Sequence, residues 1–417
     1  MENIPANPAD LSIPILKLPN TSPAPACDSP PRINIRHPGY KEFTSDNILF
    51  DFPAFDNVEL SKGQRIQGLH HKTALTACAI IANNSFDDVY LSKDPDGEQR
   101  VQADYDGILE PGDYWLQLPS YHPPATSEPT PTAPTQSKYH YPIVPTFEDW
   151  AFPHNRLPAE WQQSQLVMAN QTENRCRLSN SRLGLQHCHI VPTASSRWFS
   201  MNGMKVYSEQ RGDPRIDDEA NRLWLMANLY HVFEQRCFVL VPKPLPNSSS
   251  SGAQFAANSS QSDTSLTSTA NPAPTVRARA YTFAVHVLDS GPEALELAEA
   301  YHNSMIHAGG ACREMLFARF AWAIFGYLGE FINNTEHELH LRIKRTQAKT
   351  ENVWLTPKGW RDLKSSRENS PTGSRKRQRG RSRHRSIPPE FDDYGNGNGD
   401  SSIAIPDAIP LSAPSTP

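Results

Sequence analysis

Between positions 187 and 231 the chain gathers the side chains that a hydrolytic metal site requires. His187, Cys188 and His189 are consecutive, Asn221 follows His189 by 32 positions, and His231 comes ten further on. Cleaving a phosphodiester with a metal calls for a cation to stabilise the leaving oxygen and a base to activate water. A neutral imidazole suits the role of base near pH 7, and a carboxamide can fix its orientation without competing for the proton. His189 is the candidate base and Asn221 the candidate orienting group. Each also has a plainer reading: His189 as a satisfied structural histidine, Asn221 as a turn residue.

These side chains need a scaffold. His189 ends a strand-like run just before Ile190-Val191-Pro192, and the proline would stop the strand and leave the imidazole at its lip. After the acidic turn Asp217-Asp218-Glu219, Arg222–Met226 reads as a short apolar strand. Asn228–Arg236 then reads as a helix that buries Leu229, Val232 and Phe233, three and four residues apart. Strand, loop, strand, helix with His–Asn–His along the inner edge is a ββα-metal arrangement.

Cys176, Leu178, Ser179, His189-Ile190-Val191-Pro192, Trp198-Phe199, Asn202, Met204, Asp217-Asp218, Asn221, Leu223, Leu225, Phe233 and Phe238 through Lys243 fall on one recurring pattern. It resembles the HNH endonuclease domain of a large group of fungal proteins. Arg36–Tyr40, Thr73–Asn84 and Leu316–Phe325 resemble flanking segments of the same proteins, so the likeness extends over about 300 residues. The resemblance implies hydrolysis of phosphodiester bonds in DNA with one divalent metal ion (Mg, Mn, Ni or Zn). It also implies a metal-binding histidine on the helix nine residues after the asparagine. That position here is Tyr230, and His231 is one residue late, a rotation of about 100° on a helix. Where many HNH sites place an acidic ligand before the base, this chain has Cys188; a thiolate tolerates Zn²⁺ but is a poor partner for Mg²⁺. The expected metal set is therefore His231 with Cys188 and His187. Against it stand His231 as a helix-surface imidazole and Cys188 as a small core residue. Tyr230 also keeps open a second function: a catalytically degenerate HNH module that binds nucleic acid or protein without cutting.

The rest of the chain sorts by composition. Its 38 prolines in 417 residues cluster with Ser and Thr, so folded blocks should alternate with stretches too poor in apolar residues to order themselves. The expected layout is a disordered 1–31, a small α+β domain at 32–120, a Pro/Thr/Ser linker at 121–140 and the HNH-like domain at 141–245. A Ser-rich insert at 246–275 follows, then a strand and helical cap at 276–336, and a disordered tail at 337–417. The fold class is thus α+β, with a ββα-metal core and a helical C-terminal cap. The paired His70 and His71, and His37, read as turn and surface histidines because no acidic or cysteine partner is spaced with them. The aromatic stripe of Ala311–Ile332 reads as core.

In the tail, Arg375, Lys376, Arg377, Arg379, Arg381, Arg383 and Arg385 form a dense basic run. It suits an importin-read nuclear signal or phosphate contact, the bland alternative being a solvated charge run. The net charge of −5 excludes polyanion binding by bulk charge. Six cysteines without a C-x-x-C pair argue against a disulfide framework or zinc ribbon. With no secretory signal pattern and no apolar run of about 20 residues, the expectation is an intracellular, nuclear protein with nucleic acid, chiefly DNA, as its partner and no membrane.

Overall fold

The computed structural model describes residues 30–40, 47–59, 65–102, 107–122, 140–164, 174–209, 216–245, 280–306, 310–334, 336–346 and 349–368. The basic run at 375–385, the Ser-rich insert and nearly all of the expected linker lie outside the described residues. Those through Lys364 belong to one compact unit, a mixed α+β structure of small sheets with seven α-helices among the described residues.

The first block forms from short apolar strands broken by turns. They are β1 (Arg32–Arg36), β2 (Ile48–Pro53), β3 (Asp56–Glu59), β4 (Arg65–His70), β5 (Tyr90–Ser92), β6 (Ile108–Leu109) and β7 (Gly112–Gln117). One sheet runs β2-β1-β7-β5, with β1 and β7 parallel and the other pairs antiparallel; a second runs β3-β4-β6. Between β4 and β5 lies α1 (His71–Ile81), whose alanine-rich sequence is buried on almost every side, as expected of a helix without a polar face.

The central block holds α2 (Ala159–Gln163), β8 (Leu185–His189), α3 (Ser196–Met201), β9 (Arg222–Met226), α4 (Ala227–Glu234), β10 (Phe238–Pro244) and β11 (Tyr281–Val287). The strand expected after the Ser-rich insert appears as β11 and pairs antiparallel with β10, from Phe238 opposite Val287 to Pro244 opposite Tyr281. Both strands are buried throughout all or nearly all of their length. Then come α5 (Pro292–Tyr301) and α6 (Arg313–Asn334). The α5 helix ends at Tyr301, and Asn303 just beyond it turns left-handed (φ 63°), a conformation that ends helices. The long α6 packs on β2, β10, α1 and α2, and Trp161, Phe283, Phe317 and Phe320 interlock beside it. By length and composition α6 could cross a membrane, yet 72 % of its apolar window is buried inside the protein.

Two expectations need correction. Part of the stretch taken as disordered tail is folded: β12 (Leu339–Lys344) and β13 (Thr350–Leu355) form an antiparallel hairpin followed by α7 (Pro357–Glu368). The alternation of Leu339, Leu341 and Ile343 buries one face of β12, and Trp354 stacks on His340 at 4.6 Å. A six-residue period-two signal among charges is short enough to be missed. Second, His37, His70 and His71 are all buried. His37 lies 3.2 Å from the Tyr141 carbonyl and 4.3 Å, ring to ring, from its phenol. Burial pushes its pKa down to about 3.

Candidate active site

The sequence folds locally as a tight strand–strand–helix. β8 and β9 pair antiparallel, setting His187 opposite Trp224, Cys188 opposite Leu223 and His189 opposite Arg222. α4 follows β9 directly and packs on both strands, anchored by Leu229 and Phe233 four residues apart, each worth roughly 1.5–3 kcal/mol when buried. Alternation along a strand sends neighbours to opposite faces. His187 and His189 therefore share the open face with Trp224 and Arg222, while Cys188 turns inward.

On that open face two carboxylates fold back over two imidazoles. His189 Nε2 lies 2.8 Å from Asp217 Oδ1, and His187 Nε2 lies 3.3 Å from Glu219 Oε2. A carboxylate can only accept, so Nε2 of His189 carries the hydrogen of the neutral ring and its lone pair falls on Nδ1. His187 lies flat on Trp224, ring centroids 4.2 Å apart and planes within 3°. Desolvation lowers its pKa despite the opposing pull of Glu219. Arg222 sits between the two acids, Nη1 at 3.2 Å from Glu219 Oε1 and Nη2 at 3.8 Å from Asp217 Oδ1. The acidic turn is held by Asp218, whose Oδ1 accepts from the N–H groups of Ala220 (2.9 Å) and Glu209 (3.0 Å).

Asn221 is wholly buried and does not hold the imidazole. Its Oδ1 accepts from the Val191 N–H (2.8 Å), and its Nδ2 donates to the carbonyls of Val191 (3.1 Å) and Ile216 (2.8 Å). It clamps the chain leaving β8 to the chain entering the acidic turn, so it fixes His189 through the backbone. The group on the imidazole is Asp217.

The metal ligands expected beside it are not brought together. His231 is exposed on α4, with Nε2 2.9 Å from Gln235 Nε2, as the one-residue offset implies. Cys188 is buried, donates to the Leu223 carbonyl at 3.1 Å, and burial raises its thiol to about 12. A neutral thiol facing inward shares no cation with imidazoles facing out; of the expected set only His187 stands with His189. Tyr230 is partly buried against the core, its phenol raised by desolvation and then by Glu234.

Between the end of β8 and α4 lies Arg319 from α6. Its guanidinium donates to the carbonyls of Ile190 (3.3 Å) and Phe233 and meets Glu234 at 3.5 Å. It also stacks 3.7 Å from the Phe233 ring. Burial lowers its pKa to about 10 against the pull of Glu234. Sequence reasoning missed Asp217, Glu219, Arg222, Trp224 and Arg319 as site residues. The acidic triplet was a visible signal; the register that sets Arg222 against His189 was not.

A second cluster lies in the interior. Asp56, His286 and His302 bring three potential metal-ligand atoms within 4.8 Å of one another. The carboxylate is already shared: Oδ1 meets Lys243 Nζ, His302 Nε2 (3.0 Å) and Asn303 Nδ2 (2.9 Å), and Oδ2 accepts from the His70 N–H (2.7 Å). His302 Nδ1 accepts from the Val287 N–H at 3.2 Å, so its neutral ring carries hydrogen on Nε2 and donates to Asp56. Burial works against the Asp56 charge, but Lys243 and then His302 hold its pKa well below the usual carboxylate range. This is an ion-paired hub joining β3, β10 and the end of α5.

Two imidazoles and two carboxylates thus share the open face of a strand–strand–helix segment in this α+β protein. Residues 174–241 match the family model described as HNH endonuclease, so this segment is similar to an HNH endonuclease domain. No curated protein and no solved structure matches the chain.

Proposed function

We propose that the HNH domain hydrolyses phosphodiester bonds in DNA, with β8, β9 and α4 as its ββα-metal core. The observation that carries the reading is His189, whose Nε2 is held by Asp217 so that Nδ1 can take a proton from water at the open end of β8. Asn221 keeps that strand end in place from beneath. HNH domains generally bind a divalent metal, and the donors on the open face suit one: carboxylates suit Mg and Mn, imidazoles suit Ni and Zn, and neither needs the inward thiol of Cys188. His187, Glu219 and Asp217 are the residues that would hold it. Bound there, the cation would polarise the phosphate and stabilise the departing oxygen. The basic run at 375–385 would carry the protein to the nucleus and add phosphate contacts.

A second reading has its own support. Tyr230 fills the helix position of the family's metal-binding histidine, and His231 turns away to Gln235. An HNH module without a helical imidazole can bind nucleic acid without cutting it. Supercoiled plasmid incubated with the full chain across Mg, Mn, Ni and Zn separates the two. Metal-dependent nicking that is lost in His189→Ala supports the nuclease. No nicking with any metal, or equal nicking by the variant, leaves the binding module.

A further inference from the structure

We propose that Arg222, backed by His187 and His189, is a binding site for the phosphodiester backbone that the protein's own Asp217 and Glu219 occupy in its free state. The inference rests on the DNA-directed reading of this face and adds which side chains grip the phosphate and what masks them.

The geometry is that of an anion site already filled. Three donor groups stand on one open strand face: the imidazoles of His187 and His189 and the guanidinium of Arg222, brought alongside by the register of β8 and β9. Each of the two carboxylates seated there is gripped twice. Asp217 meets His189 at 2.8 Å and Arg222 at 3.8 Å, and Glu219 meets His187 at 3.3 Å and Arg222 at 3.2 Å. A phosphodiester presents two non-bridging oxygens carrying one charge, and the planar guanidinium fork is matched to such a group. The carboxylates stand where those oxygens would bind. Their side chains are 54 % and 55 % exposed against 26 % for Arg222, so the acids are the outer layer and the cation the covered one. Exposed ion pairs of this kind are worth little in water, which makes the cover displaceable. Trp224 beneath His187 offers a flat ring on the same face.

The turn that carries the acids does not depend on them. Asp218 caps it through Ala220 and Glu209, and Asn221 ties its Ile216 end to Val191, just past β8. Asp217→Asn with Glu219→Gln therefore removes the masking charge and leaves the turn in place. A divalent cation that drew the same carboxylates towards itself would uncover Arg222 in the same way.

The test is equilibrium binding of a fluorescein-labelled 20-base-pair DNA duplex to the full chain in EDTA, over a range of NaCl concentrations. Thermal melting checks that each variant is folded. The Asp217→Asn/Glu219→Gln protein should bind at least about 10-fold tighter than wild type, with its salt slope steeper by about one for the added phosphate contact. Adding Arg222→Gln should return both values to those of wild type. A control that removes two charges elsewhere, Glu293→Gln/Glu296→Gln on α5, should shift binding less than about 3-fold. A gain no larger than the control's, or one that survives Arg222→Gln, overturns the proposal. Because binding is read without metal, its failure is separate from that of the nuclease reading. A wild type that nicks plasmid while the variants show no Arg222-dependent gain sinks only the masked site; a gain without nicking by wild type under any metal sinks only the nuclease.

Discussion

Asn221→Asp is the substitution that most directly probes how the site is built. The side chain keeps its shape and its acceptor for the Val191 N–H, but the two hydrogens that Nδ2 gives to the carbonyls of Val191 and Ile216 are lost. In a wholly buried position the new carboxyl is driven to its neutral form and can donate to one of those carbonyls at most. One carbonyl is then left unpaired, at about 1–3 kcal/mol, and one net hydrogen bond worth about 1 kcal/mol disappears. A loss of about 3 kcal/mol is expected, which for a domain of this size lowers Tm by about 6–12 °C. The folded pKa of the introduced carboxyl lies above its unfolded value. Its contribution is therefore present at low pH and lost as pH rises, so the deficit against wild type should widen from pH 5 to pH 8. Thermal and urea melts of both proteins at several pH values measure it. Plasmid nicking should fall with the fold, because Asn221 acts on His189 through the backbone. A variant with wild-type Tm and lost activity would refute this, and would mean that the carboxamide works on the imidazole or the substrate directly.

Arg319→Met removes the guanidinium that joins the end of β8 to α4 and leaves two backbone carbonyls and Glu234 to find other partners. About 3 kcal/mol of lost stability in urea melts is expected from breaking a buried charged contact, and a loss under 1 kcal/mol would show that α6 does not brace the HNH segment. Acid should weaken the fold early. His37 at about 3, and His286, lowered by burial and then by Lys243, stay neutral when folded but take up protons near pH 6.5 when unfolded. Stability therefore falls as pH drops below 6.5 and continues to fall towards pH 3, by about 1.4 kcal/mol per unit for each such group. His286→Met should flatten the decline between pH 7.5 and 5.5 by about 1 kcal/mol, since neither ring nitrogen has a hydrogen-bond partner to lose; an unchanged slope would place the proton uptake elsewhere. His231→Ala, on the exposed side of α4, should leave both Tm and nicking within error of wild type. Cys188 should resist a thiol reagent until the protein is unfolded, because its buried thiol is protonated at neutral pH.

The outline of this site was legible because its signals are local. The run ending at His189, the strand Arg222–Met226 and the helix carrying Leu229 and Phe233 follow from residue spacing, and all three elements are present. The aromatic α6 was readable for the same reason. What the spacing could not reveal was pairing across long separations. Asp56 meets His302 across 246 positions, and Arg319 reaches Phe233 from another helix. His37, His70 and His71 read as surface residues because partners such as the Tyr141 carbonyl and Asp56 are met only in three dimensions, and because Thr73, which meets the His70 ring, is neither an acid nor a cysteine.

The metal set shows where local reading misleads. Three adjacent residues, His187-Cys188-His189, look like three ligands in a row, yet a strand divides them by parity. Odd positions face solvent with Arg222 and Trp224, and the even one faces the interior, where its thiol has already found the Leu223 carbonyl. Asp217 and Glu219 lie in the turn one residue either side of the capping Asp218 and reach the two outward imidazoles. The chemistry of the face then turns on charge rather than on any one ligand: two acids and one arginine over two imidazoles can hold a metal or a phosphate, and whichever arrives must first part Arg222 from its carboxylates. Removing the acids should therefore separate the two events, strengthening the grip on DNA while depriving His189 of the group that orients it. Tighter binding together with slower cutting in Asp217→Asn is the combination this arrangement requires.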